Sequence, residues 1–122
     1  MTKEELAVIE NRIVLACNAV VACGISLGDG DYSVKAGDDG KYHAIESHCC
    51  PLGALCLFEA KDVRPQDLPA ITAANLLGVD QDWVDDFVGG VDGDSEPNAD
   101  RTAEAFAMGQ RIIARYRPTE DA

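Results

Sequence analysis

Residues 13–27 are apolar on nearly every side, and this run constrains the fold more than any other part of the chain. Thr2 and Glu5 stand at the spacing of a capping box, so a helix is predicted to begin there. We expect it to run to about Ile25, with a core stripe at Leu6, Ile9, Ile13, Ala16, Cys17, Val20 and Gly24. Because its other faces also turn apolar after Ile13, the sequence predicts a central helix buried on several sides, or one that also pairs with a second subunit.

Two short segments with alternating apolar and polar residues follow, and they predict one small β-hairpin near residues 31–46. The segments are residues 32–35 and 41–45, and the loop between them contains Asp39-Gly40, a pair that tolerates the left-handed conformations of tight turns. An isolated hairpin is marginally stable in water, so we expect this one to lie against helices.

Proline, glycine and aspartate residues mark the ends of the next two helices. Pro51 is suited to the first position of a helix that begins near Cys50, because the amide missing from proline would be unpaired there. A third helix is predicted over residues 68–77, with Asp67 as its N-cap and Gly78 as its end.

The last two predicted helices are separated by a polar loop over residues 92–98. Asp80 is the expected N-cap of the fourth helix, and Gly89-Gly90 are expected to end it. Its inward residues should be Trp83, Phe87, Val88 and Val91, and its outward residues Asp82, Asp85 and Asp86. The fifth helix should span residues 99–116, where Gly109 in mid-helix favours a close crossing with another helix.

These elements predict a fold that is mainly α (α+β): a compact bundle of about five helices with one small β-hairpin. With 122 residues, 47% of them apolar, the chain has the size and composition of a single globular domain, residues 1–122. The five cysteines are an odd number without framework spacing, which favours reduced thiols and a cytoplasmic location. The apolar run is too short for a good membrane span, so no membrane contact is expected.

The charge balance is strongly acidic, with 22 Asp and Glu against 10 Lys and Arg and a formal net charge of −12. Phosphate backbones and anionic lipid would be repelled, so nucleic acid and membrane surfaces are not expected partners. Nine of the acids lie in residues 67–100, which contain no Lys or Arg. The ordinary interpretation is a solvated acidic face, and the alternative is a contact surface for a basic protein partner.

The residues that could carry chemistry lie just before the second helix, where His48, Cys49 and Cys50 are consecutive. The free amides and the dipole of a helix N-terminus stabilise a thiolate, so Cys49 or Cys50 is the candidate nucleophile of a thiol-dependent enzyme or redox protein. Neighbours on an extended segment point to opposite sides, which makes His43 a better candidate base than His48. The competing interpretation treats these thiols as small buried hydrophobic residues, and we consider it the stronger one.

A small structural metal site is a second alternative, with His43, His48, Cys49, Cys50 and Cys56 as its candidate ligands. Structural zinc sites use separated pairs of closely spaced ligands, and this chain has no Cys-x-x-Cys motif. The sequence therefore predicts neither a bound metal nor a cofactor.

The leading functional prediction is a small acidic protein that is not an enzyme and acts through protein contacts or self-association. Residues 13–27 are the predicted dimer surface, because their apolar area exceeds what one core face requires.

Overall fold

The computed structural model describes residues 1–28, 32–93 and 102–117, and within them the chain forms five α-helices and four short strands. In chain order these are α1 (Lys3–Ala22), β1 (Ser26–Leu27), β2 (Val34–Ala36), β3 (Tyr42–Ala44), β4 (His48–Cys49), α2 (Pro51–Glu59), α3 (Pro69–Leu77), α4 (Gln81–Asp92) and α5 (Ala103–Tyr116). The predicted fold class, mainly α with a small hairpin, is confirmed. No described helix is long and apolar enough to cross a membrane.

Helix α1 begins as predicted and ends earlier than predicted. The Thr2 hydroxyl accepts a hydrogen bond from the Glu5 amide, and the Glu5 carboxylate accepts one from the Thr2 amide, both at 3.1 Å. The helix ends at Ala22 because Gly24 adopts a left-handed conformation with a φ of 91°. The Ile25 amide then donates to the Val20 carbonyl at 3.0 Å, which completes a Schellman motif. The placement of Gly24 in the core stripe was therefore wrong.

The strands form two separate pairs. Strands β2 and β3 make the predicted antiparallel hairpin, in which Val34 lies opposite Ala44 and Ala36 opposite Tyr42. Strands β1 and β4 form a parallel pair that was not predicted, with Leu27 opposite Cys49. This second pair ties the chain after α1 to the chain before α2, and so it fixes the position of the two adjacent cysteines.

Helix α2 is the most deeply buried helix, and it takes the central place that the sequence assigned to α1. Pro51 occupies its first position, and every residue from Pro51 to Cys56 is buried. Helix α1 is buried along one side, where Ile9, Ile13 and Cys17 join the core.

The start of α3 differs from the prediction by one residue. Its N-cap is Leu68, which makes no side-chain cap. Asp67 instead accepts a hydrogen bond from the Arg64 amide at 2.8 Å and closes the turn before the helix. Gly78 ends the helix in a left-handed conformation, as predicted.

Helix α4 continues through Gly89-Gly90, which the sequence had assigned as its end, and stops at Gly93 with a φ of 84°. Both glycines are buried, and α5 crosses α4 closely at Gly90, where a Cβ would clash with the carbonyl oxygen of Phe106. Asp86, expected to face water, is only 3% exposed, because α4 is covered on more than one side. The predicted polar loop after residue 93 and the predicted helix start at residue 99 lie outside the described residues.

A single core joins all five helices and the hairpin. Ion pairs reinforce it at the surface: Arg12 of α1 pairs with Glu59 of α2, and Arg111 of α5 pairs with Glu10 of α1 at 2.8 Å. The Tyr116 hydroxyl also donates to Asn18 at 2.7 Å, so α5 is held along the outer side of α1.

We predict that Gly109→Ala destabilises the protein, although alanine normally stabilises a helix interior by about 1 kcal/mol relative to glycine. The new Cβ would clash with the carbonyl oxygen of Phe87, and α4 and α5 would have to separate. We expect urea unfolding to show a loss of about 1–3 kcal/mol, which is typical of overpacking.

The matched control is Gly28→Ala, because a Cβ at Gly28 meets no atom of the described residues within 4 Å. This variant should unfold like the wild type. A Gly109→Ala protein as stable as the control would contradict the close helix crossing.

Candidate functional site

Cys49 and Cys50 lie where β4 runs into α2. Cys50 is the N-cap of α2, and its Sγ accepts a hydrogen bond from the Gly53 amide at 3.4 Å. A Cβ at Gly53 would clash with the carbonyl oxygen of Tyr32, so the backbone of the preceding loop closes over this helix start. The junction is a closely packed part of the core.

Burial determines the chemistry of these two thiols. Cys49 is fully buried, and Cys50 is 1% exposed. Burial raises the pKa of Cys49 to about 11. It raises the pKa of Cys50 to about 12, although the amides of Gly53 and Leu52 act in the opposite direction. Both thiols are therefore protonated at neutral pH, and the thiol form is a poor nucleophile.

The other three cysteines divide between the core and the surface, and all five are free. Cys17 and Cys56 are buried, and burial raises the pKa of each to about 12. Cys23, the C-cap of α1, is exposed. The exposed thiol therefore lies at the end of α1 and not at the start of α2.

The two histidines lie on the surface and pair with carboxylates. His48 precedes the buried Cys49 on β4, so its side chain points outward, where it contacts Glu46 at 3.0 Å. The His43 Nε2 contacts both carboxylate oxygens of Asp39 at 2.9 Å. Among the hydrogen bonds of the described residues, none joins a histidine to a thiol. The catalytic arrangement therefore stays a prediction for which the structure supplies no supporting contact.

The candidate metal ligands are likewise divided, with His43 and His48 exposed and Cys49, Cys50 and Cys56 in the core. Within residues 1–28, 32–93 and 102–117, no group of three or more His, Cys, Asp or Glu side chains is placed to hold a metal ion.

The structure shows an apolar groove that sequence reasoning missed. It has a volume of about 290 Å³ and lies between the end of α1, strand β3 and the end of α2. Phe58 stands at its edge and is 53% exposed. The signal was present in the sequence: at 100° per residue, Phe58 falls off the inner face that Leu52 and Leu55 define.

The apolar run of α1 contributes a second exposed area. Leu15 is 51% exposed, and Ala22 and Cys23 are exposed on the same side of the helix. Val14, in contrast, is buried on the side where Tyr116 bonds to α1. The helix is therefore apolar beyond what the core of one chain uses.

Comparison with known proteins identifies no relative: no family model, curated protein or solved structure matches the chain. The geometry of the chain itself must therefore carry any functional conclusion.

We predict that Cys23 alone reacts rapidly with iodoacetamide in the folded protein at neutral pH, because the other four thiols are buried and protonated. Mass spectrometry of the native protein should show a single adduct, and peptide mapping should place it at position 23. In urea, all five thiols should react. Rapid native labelling of Cys49 or Cys50 would instead restore the thiol-enzyme hypothesis.

The buried thiols should also make stability fall in alkaline solution. Their folded-state pKa values are raised to about 11 or 12, whereas thiols of an unfolded chain ionise near pH 8.5. Their stabilising contribution is therefore complete below about pH 8.5 and is lost as the pH rises toward the folded-state values.

Urea unfolding under reducing conditions measures this loss. Between about pH 9 and 10, we expect the free energy of unfolding to fall by roughly 1.4 kcal/mol per pH unit for each thiol that ionises only after unfolding. Cys17→Ala should lower the slope by roughly 1.4 kcal/mol per pH unit, because it removes one thiol, while the tyrosines whose pKa values burial also raises keep part of the slope. A free energy of unfolding that stays level over this range would contradict the burial of the thiols.

Proposed function

We propose that this protein is a cytoplasmic, non-enzymatic protein that acts through protein contacts, and that its principal contact is self-association through residues 13–27. The observation that supports the proposal is the exposed apolar side of α1, which no other part of the described chain covers. The five free thiols agree with a reducing compartment.

The charge distribution favours this surface over others. Two copies that each carry a formal net charge of −12 repel one another, so they can meet closely only where carboxylates are absent. Residues 13–28 contain no Asp, Glu, Lys or Arg. Two of the other exposed apolar residues stand beside acids in the sequence: Leu68 follows Asp67, and Ile45 precedes Glu46.

The shape of α1 suits a symmetric contact between two copies. Leu15, Ala19 and Ala22 follow the spacing of one side of a helix. A leucine followed by alanines one and two turns later gives a projecting side chain beside a shallow surface, and an identical helix can pack closely against it. A two-fold interface uses the same patch on both copies, and an uncharged apolar patch is complementary to itself.

A basic protein partner for residues 67–100 is a separate prediction. Asp82 and Asp85 of α4 are exposed, which agrees with an acidic surface there, but residues 94–100 lie outside the described residues. No observation gives this partner preference over self-association.

We predict that the wild-type protein dimerises and that Leu15→Glu weakens the dimer strongly, because an unpaired carboxylate would be buried in an apolar interface. Sedimentation velocity over a concentration series measures the effect. The dissociation constant should rise more than about 100-fold, which corresponds to about 2.7 kcal/mol.

Ile71→Glu is the matched control, because Ile71 is similarly exposed at 49% and lies on α3 rather than α1. It should leave the dimer intact. A wild-type protein that stays monomeric at high concentration would refute the proposal, and equal weakening by both variants would show that charge alone is responsible.

A further inference from the structure

A half-exposed aromatic side chain and an apolar groove adjoin on the surface. Phe58 of α2 is 53% exposed and forms part of the lining of the groove of about 290 Å³. The floor and walls of the groove include Ala19, Cys23, Ile25, Ala44 and Leu57. The groove therefore begins at the end of α1, and it continues the surface formed by Leu15, Ala19 and Ala22.

We infer that in the dimer each Phe58 occupies the groove of the other copy. This inference rests on the proposed self-association and adds the side-chain contact that would determine how the two copies are oriented. A two-fold interface requires every projecting group to meet a hollow in the same patch. Phe58 and the groove supply both parts, and a buried aromatic in a fitted hollow is the usual energetic centre of a protein interface.

The polar groups of the groove are already engaged, which favours an apolar occupant. The Tyr42 hydroxyl bonds to Thr72 at 2.8 Å and to the carbonyl oxygen of Asp67 at 3.1 Å, so it faces away from any guest. The His43 ring is held by Asp39. The volume of about 290 Å³ stands at the lower end of the range of roughly 300–1,000 Å³ that is typical of small-molecule sites, and it is large enough for one aromatic side chain.

The charges around Phe58 allow an acidic second copy to approach. None of the residues that line the groove is an Asp or Glu. The nearest acid in the sequence, Glu59, is paired with Arg12 within the same chain. Phe58 can therefore enter the second copy without bringing an unpaired carboxylate with it.

Thiol cross-linking between two different variants tests this contact. Cys23 lies in the groove and is the exposed native thiol, so the wild type presents a thiol at the groove alone. The double variant Phe58→Cys/Cys23→Ser presents an exposed thiol at position 58 alone. A mixed dimer retains one Phe58, that of the wild-type copy, to occupy the groove of the double variant.

We expect a short bis-maleimide to join the two proteins in the mixture, through position 23 of one copy and position 58 of the other, as identified by mass spectrometry. The control mixture replaces the double variant with Ile71→Cys/Cys23→Ser, whose exposed thiol is on α3, and it should give little of this product. Phe58→Ala should also raise the dissociation constant at least about 10-fold, while Phe58→Leu should raise it less.

The outcomes separate this inference from the proposal beneath it. A wild-type dimer whose mixture cross-links no better than the control overturns the Phe58 contact and leaves self-association standing. A dissociation constant unchanged by Phe58→Ala has the same meaning. A wild type that is monomeric at every concentration overturns both.

Discussion

The burial of the first two turns of α2 is the constraint on which the rest of the structure depends. Every residue from Pro51 to Cys56 is buried, and α1, α3, β2, β3 and β4 all contact this helix. Because this helix is covered so completely, other chain segments must pack closely against its start. Gly53 allows this, because the Tyr32 carbonyl occupies the space of a side chain. The parallel pairing of β1 with β4 then holds the chain that leads into Pro51.

This burial decides the chemistry of the cysteines at the helix start. A helix dipole stabilises a nearby charge by about 0.3–1 kcal/mol at an exposed site. Burial raises the pKa of Cys50 from about 9 to about 12, and each pKa unit corresponds to about 1.4 kcal/mol. Desolvation therefore exceeds even the roughly 2 kcal/mol that a helix dipole can contribute at a partly buried site, and the same packing that builds the core keeps the thiol protonated. A sequence pattern that resembles a reactive centre is, in this fold, part of the hydrophobic interior.

The local signals in the sequence were sufficient for the starts of α1, α2 and α4, and insufficient for the start of α3 and for the ends of α1 and α4. The capping box at Thr2, the proline at Pro51 and the aspartate cap at Asp80 all act within four residues, so they could be recognised from sequence alone. Glycine has two structural uses, a left-handed turn and a close helix crossing. Gly24 serves the first and Gly90 the second, and only the position of α5 distinguishes them.

The same dependence on distant contacts explains why the candidate surface was only partly predicted. The excess apolar character of α1 is visible in the sequence, but α5 covers Val14, so the surface that remains is narrower than residues 13–27 suggest. Stable interfaces bury about 800 Å² on each partner, and the outward side of a few helical turns is small beside that requirement. A stable dimer therefore needs additional apolar area next to α1. The groove and Phe58 supply such area, and they reach the end of α1 only because α2 and β3 pack there.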